Sequence, residues 1–142
     1  MNAGIGPDRN GNPQRPGANW LPAPPHIIYV RESQIAKQGA ANLWVFLDEN
    51  PDSINDGAFA VSMPQSVAAT GWVDYPAVYH NNACGFAFAD GHSEIHKWLK
   101  PDKMPRVTYG GLVAVPAGPN NPDVLWLAKR TSARADGASL PY

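Results

Sequence analysis

The chain has 142 residues, of which 44% are hydrophobic and 16% are charged, and its formal net charge is -1. This length accommodates one domain with a sizeable core, and the hydrophobic fraction argues against disorder throughout. A net charge this close to zero supplies no basic field for a phosphate backbone, so we expect no nucleic-acid partner.

The first half of the chain alternates between irregular stretches and short apolar runs. Residues 1–25, rich in proline and glycine, predict an irregular arm, and residues 26–142 predict one globular domain. We expect a strand at residues 26–30, a helical turn at residues 32–37 and a second strand at residues 43–47. Because the second strand is apolar on both faces, it is typical of a central strand that is covered on both sides.

The second half contains the clearest local signal. Residues 57–63 predict a third strand, and residues 67–80 an aromatic-rich loop. Residues 85–89 and 92–98 flank Asp90 and Gly91, a composition typical of a hairpin with a two-residue type I′ turn. A helix is predicted at residues 124–133, with Asp123 as its N-cap, and no apolar run approaches the ~20 residues that span a bilayer.

An acidic loop follows the apolar run at residues 43–47. Its oxygen-bearing side chains suit a hard cation such as Ca²⁺, although their spacing does not match an EF-hand. A solvated turn whose side chains accept backbone N–H bonds is the alternative, and we favour it slightly. The candidate ligands are Asp48, Glu49, Asp52, Asn55 and Asp56.

The histidines and the single cysteine are weak candidates for chemistry. A zinc site would use His80, which precedes the hairpin, together with His92, Glu94 and His96, which share one strand face. Residues i and i+4 of a strand are about 13 Å apart, so His92 and His96 are too far apart to bind one zinc ion directly. Cys84 enters an apolar strand, which indicates a buried, unreactive thiol. We therefore expect no enzyme, and a metal-dependent hydrolase using these residues is the weakest alternative.

One motif and its surroundings resemble a known family. His80 is followed by nine residues and then by Asp90 and Gly91, and this spacing resembles the signature of the prepilin-type H-X9-DG proteins, also called the DUF1559 family. Residues 46–61, 72–98 and 121–132 resemble the same family in the same order. The ordered match covers residues 43–132, which makes it far more specific than the motif alone.

The resemblance implies an α+β fold: a pilin-like globular head with a mostly antiparallel sheet, long irregular loops and a short C-terminal helix. It implies a structural subunit of a type IV pilin-like or type II secretion pseudopilin-like filament, located outside the cell or in the periplasm. His80, Asp90 and Gly91 would then be structural residues. Some pseudopilins carry metal-stabilised loops, which adds Asp90 to the possible Ca²⁺ ligands without fixing a ligand set.

The same resemblance implies partners. Pilin-like subunits pack around an apolar N-terminal helix, and the sequence contains no such helix ahead of the predicted sheet. We expect other pilin-like subunits as partners and a spine helix that is either a separate chain or lost by truncation, with no direct membrane insertion by this chain.

A secreted carbohydrate-binding module is the second hypothesis. Aromatic rings exposed at a surface stack on sugar rings, and four aromatic residues lie in irregular segments. They are Trp20, Trp72, Tyr75 and Tyr79.

Overall fold

The computed structural model of the chain describes residues 1–5 and 26–142. Its centre is a three-stranded antiparallel sheet in the order β1-β2-β3, followed by one α-helix. Strand β1 comprises Trp44–Leu47, β2 Ala83–Phe88 and β3 Ser93–Lys97, and helix α1 comprises Pro122–Thr131. Short 3-10 turns lie at Glu32–Lys37, Ala40–Asn42, Val67–Ala69 and Pro101–Lys103. The predicted α+β class is confirmed.

One face of the sheet forms the core. Trp44 of β1 and Phe86 and Phe88 of β2 point inward, because alternate residues of a strand share a face. Trp98, just after β3, and Leu127 of α1 complete the same apolar cluster. Burying rings of this size is the main source of stability for a sheet of only three short strands.

The order of the strands corrects the prediction for residues 43–47. β1 is an edge strand of the sheet and β2 is the central one. The register shifts between Trp44 and Phe46, and Phe46 is 57% exposed although its neighbour Trp44 is fully buried. The continuous apolar run therefore does not correspond to a strand covered on both sides.

Two other predicted strands are wrong. Residues 26–30 form only isolated bridges, one of which joins Tyr29 to Ile5, and residues 57–63 form only the bridge from Phe59 to Asn2. The predicted turn at residues 32–37 is confirmed as a 3-10 helix. Residues 1–5 are attached to the folded part, since Asn2 is buried and its backbone N–H donates to the Val45 carbonyl at 2.9 Å. The rest of the predicted arm lies outside the described residues.

The predicted C-terminal helix is confirmed, and its cap is corrected. Val124, Leu127 and Ala128 are buried on one stripe, as their spacing indicates. Asn121, not Asp123, is the N-cap, because its Oδ1 accepts the backbone N–H groups of residues 123 and 124 at 3.0 and 3.3 Å. In the part of the chain that the structure describes, no helix is long and apolar enough to cross a membrane.

Candidate functional site

The first half of the motif lies at the end where β2 begins. Asp48 directly follows β1, and its Oδ2 lies 3.4 Å from Nε2 of His80. The backbone N–H of Gly85 donates to the same Asp48 oxygen at 3.3 Å. Asp48 therefore connects the segment before β2 to the edge strand, and about half of each side chain remains exposed.

Gly85 makes this arrangement possible. A Cβ atom at position 85 would lie 2.8 Å from Asp48 Oδ2, closer than real contacts allow. The neighbouring Cys84 points to the other face, where its thiol donates to the Asp48 carbonyl at 3.2 Å. Burial raises the pKa of this thiol to about 12, so it carries almost no reactive thiolate at neutral pH.

A left-handed turn presents His80. Asn81 and Asn82 have φ values of 56° and 61°, a region that asparagine tolerates better than most residues. Asn82 donates its backbone N–H to the Val78 carbonyl at 3.0 Å and accepts from the Trp98 N–H at 2.9 Å. The turn is therefore anchored both to its own segment and to the residue that follows β3.

The second half of the motif closes the hairpin, with a different turn from the one predicted. Only Gly91 has a positive φ, 92°, whereas a type I′ turn requires positive φ at Asp90 as well. Phe88 donates to the His92 carbonyl at 2.9 Å and Gly91 donates to the Phe88 carbonyl at 3.0 Å. The connection is thus a three-residue loop with a left-handed glycine in its last position.

Gly91→Val should lower the free energy of unfolding by about 1 to 3 kcal/mol, because a β-branched residue is strained at positive φ. A Cβ at Gly91 would meet no atom within 4 Å, so strain rather than a clash accounts for the loss. Thermal melts measure it, with Gly57→Val as the control, since Gly57 also has open space and lacks a positive φ. Equal losses in the two variants would contradict the assignment.

Asp90 stabilises the same loop from its side chain. Its Oδ1 accepts the His92 backbone N–H at 3.1 Å and lies 2.6 Å from the His92 ring nitrogen Nδ1. The hydrogen bonds from His92 hold the pKa of Asp90 below its usual value. The His92 ring stacks on Phe88 with centroids 4.4 Å apart, so the motif ends in a local cluster of Asp90, His92 and Phe88.

The acidic loop does not assemble the predicted Ca²⁺ ligands. Asp52 accepts the backbone N–H groups of Thr108, Tyr109 and Gly111, and Asp56 accepts the Ala58 N–H at 2.7 Å. Asp48 contacts His80, and Asn55 is exposed beside a cavity of about 310 Å³. Across residues 1–5 and 26–142, no three acidic, histidine or cysteine side chains come together in a group that could hold a metal ion.

The histidines of the zinc hypothesis are also separated. His80 contacts Asp48, His92 contacts Asp90, and His96 stacks on Trp126 with centroids 3.6 Å apart. Burial lowers the pKa of His96, which favours the neutral ring in that apolar setting. Each histidine thus has its own packing partner.

Glu49 and Asp74 have raised pKa values, and the sequence gives no sign of this pair. Burial raises the pKa of Glu49 to about 7; a hydrogen bond from Ser53 opposes this rise, and the charges of Asp74 and Asp56 add to it. Burial likewise raises the pKa of Asp74, whose Oδ2 accepts the Ala60 N–H at 2.6 Å. No local pattern links positions 49 and 74, which the fold brings close through the bridge from Glu49 to Pro76.

Glu49→Gln should stabilise the protein by about 1 kcal/mol near pH 8 and have little effect near pH 4, after allowance for solvent screening of this half-buried group. In the unfolded chain Glu49 loses its proton near the ordinary glutamate value of 4.5, whereas in the folded protein its pKa is about 7. The folded state therefore binds more protons between these values, and stability falls as the pH rises through that window. Urea denaturation at the two pH values measures the difference; a difference that does not change with pH would contradict the pKa assignment.

The aromatic residues of the carbohydrate hypothesis separate into two groups. Tyr75 is buried and its hydroxyl donates to the Val115 carbonyl at 2.9 Å, and Trp72 is partly buried against the core. Tyr79 is 51% exposed, and Trp20 lies outside the described residues. Tyr109, which is not among the four aromatic residues of that hypothesis, is 84% exposed; the two glycines after it are the only local sign of the turn that presents it.

A scan against models of protein families, a search of curated proteins and a search of solved structures found no match to this chain.

Proposed function

We propose that the chain is the globular head of a type IV pilin-like or type II secretion pseudopilin-like filament subunit, with a structural rather than catalytic role. One observation carries the proposal: the two halves of the motif secure the central strand β2 at its opposite ends. His80 contacts Asp48 beside the start of β2, and the Asp90-Gly91 loop closes the hairpin at its other end. A motif with this spacing would hold β2 in position, which is a structural role and requires no catalysis.

The outer face of the sheet supports an assembly role. In β2 this face carries the small residues Gly85 and Ala87, which pair with Ile95 and Phe46 of the flanking strands. Ile95 is 76% exposed and Phe46 57% exposed, so two large apolar side chains border a shallow strip of small residues. The Asp48 carboxylate lies over the Gly85 end of this strip. An apolar helix fits the end at Ala87, where it would remove both apolar side chains from water.

The proposed partners are a spine helix on this outer face and further pilin-like heads beside it. The head would then lie outside the cell, or in the periplasm if the filament is a pseudopilus. Cys84 does not distinguish between compartments, because a buried thiol is stable in any of them.

Fractionation of producing cells tests the proposal. Filaments are sheared from the cell surface, sedimented and probed with an antibody raised against the 142-residue chain. We expect the chain in the sedimented filament fraction of the parent strain. A parent chain found only as a soluble monomer would overturn the proposal.

Matched variants locate the assembly face. The pair Phe46→Ser and Ile95→Ser should move the chain from the filament fraction to the soluble fraction, because both side chains border the proposed helix position. Val113→Ser is the control, since Val113 is also 71% exposed but lies in a loop outside the sheet. Equal behaviour of the pair and the control would contradict the assigned face, and thermal melts verify that the variants fold.

A further inference from the structure

Two turns with left-handed backbone present exposed tyrosines. Among the described residues other than glycine, four have positive φ: Asn81, Asn82, Tyr109 and Asn120. The first two follow Tyr79 and His80, and the third is itself a tyrosine with φ of 55°. A bulky residue in the left-handed region costs free energy, and such strain persists only where surrounding contacts enforce it.

The turn at Tyr109 is enforced by one acid of the loop after β1. The Asp52 carboxylate accepts the backbone N–H groups of Thr108 at 2.6 Å, Tyr109 at 3.2 Å and Gly111 at 3.4 Å. These three bonds fix the backbone while the Tyr109 ring stays 84% exposed. Burial of the ring therefore does not offset the free-energy cost of the left-handed backbone at Tyr109.

The turn at Tyr79 is anchored to the same segment. The Tyr79 ring lies 4.5 Å from the His80 ring, and His80 contacts Asp48, four residues before Asp52. The two turns are therefore bonded to two acids of one short segment, because His80 contacts Asp48 and the Tyr109 N–H donates to Asp52. Burial raises the pKa of Tyr79, and the charges of Asp48, Cys84 and Tyr109 add to this rise. We call the surface formed by Asp48, Tyr79, His80 and Tyr109 the tyrosine patch.

We propose that the tyrosine patch binds a neutral polysaccharide. The apolar faces of pyranose rings would stack on the two exposed tyrosine rings, and sugar hydroxyls would donate to the Asp48 carboxylate and bond to the His80 ring. Because hydrogen bonds hold both turns, little conformational entropy is lost on binding. The acids Asp48 and Asp52 disfavour an anionic polymer, which is why the proposed ligand is uncharged.

Binding of the full chain to insoluble cellulose, chitin, starch and mannan tests the proposal, with the matching hexasaccharides used for titration calorimetry. We expect retention on at least one of these neutral polymers. Tyr79→Ala and Tyr109→Asn should each weaken binding by about fivefold or more, since each removes one stacking ring. Asparagine at position 109 tolerates the left-handed backbone and so removes the ring without adding strain.

Two further variants keep the test decisive. Tyr79→Trp should retain binding, because it keeps an aromatic face at the same position. Phe46→Ala should also retain binding, because Phe46 is an aromatic ring about as exposed as Tyr79 but does not belong to the tyrosine patch. Failure of the filament test would leave these expectations unchanged.

The proposal is overturned if no neutral polymer retains the chain, or if both tyrosine variants bind like the parent. It is also overturned if the chain prefers the anionic polymer alginate, or if Phe46→Ala abolishes binding. Circular dichroism of each variant verifies folding, and a folded Tyr79→Trp that fails to bind would likewise contradict a stacking site.

Discussion

Asp123→Ala should destabilise the protein by about 2 to 4 kcal/mol. Asp123 is 1% exposed, and its two oxygens accept the backbone N–H groups of Leu99 at 2.9 Å and Lys100 at 2.7 Å. These bonds join the first turn of α1 to the segment that leaves β3. Alanine would leave both N–H groups without this acceptor and would empty a packed position, so two costs add.

Asp102→Ala is the matched control. Asp102 lies in the same part of the chain, but it is exposed, and its carboxylate lies 3.8 Å from the Lys103 ammonium. An exposed pair of this kind contributes about 0 to 1 kcal/mol. Urea denaturation at neutral pH compares the two variants, and similar midpoints would show that Asp123 has no special role at the junction.

The hairpin was predictable because its signals are local. Two extended runs flank the turn dipeptide Asp90-Gly91, and β2 and β3 occupy them. The turn type was not predictable in the same way. A glycine supplies positive φ either as the second residue of a two-residue turn or as the third residue of a longer loop, and composition does not distinguish these.

The two incorrectly predicted strands show that composition alone does not establish a strand. Residues 26–30 and 57–63 have strand-like composition and form single bridges, but a strand also needs a partner that continues alongside it. Phe59 exchanges backbone hydrogen bonds with Met1 and Ala3, and Tyr29 donates to Gly4, each pairing ending after one bridge. The partner segment at residues 1–5 is far away in sequence and has no strand signal of its own.

The helix cap was within reach of the sequence. Asn121 and Asp123 are both good N-cap residues, and Pro122 stands between them. Proline is favoured at the first position of a helix, where its missing N–H costs nothing, so it indicates that the cap is the residue before it. The structure has this arrangement, and it releases Asp123 to bind the segment after β3.

The candidate site depends on pairings that are distant in sequence. The Asp48–His80 contact joins the two ends of the segment between β1 and β2. Thr108, Tyr109 and Gly111, which lie beyond β2 and β3 in the sequence, donate their backbone N–H groups to Asp52. Clustering of acids in one loop suggested mutual repulsion that a cation would relieve. Instead each acid finds its own donor, because the long loops around the sheet bring backbone N–H groups to it.

Trp44→Ala should destabilise the protein by about 3 to 5 kcal/mol, the largest loss that we expect from one substitution. Trp44 is fully buried, and its ring meets Phe59 and Phe86 edge to face with centroids 5.8 and 6.2 Å away. Its Nε1 donates to Thr131 Oγ1 at 3.0 Å, so the side chain joins β1 to the end of α1. Alanine would leave a cavity at the centre of the core, and the Thr131 hydroxyl would keep only the bond that it donates to the Leu127 carbonyl at 2.8 Å.

Phe46→Ala is the control for this loss, because Phe46 lies in the same strand and is also aromatic but is 57% exposed. Its removal uncovers no core, so we expect a change of less than about 1 kcal/mol. Trp44→Phe should fall between the two, since it keeps most of the buried ring and loses the bond to Thr131. Urea denaturation of the three variants gives the order, and a Phe46→Ala loss as large as that of Trp44→Ala would mean that the outer face, not the inner one, holds the sheet in place.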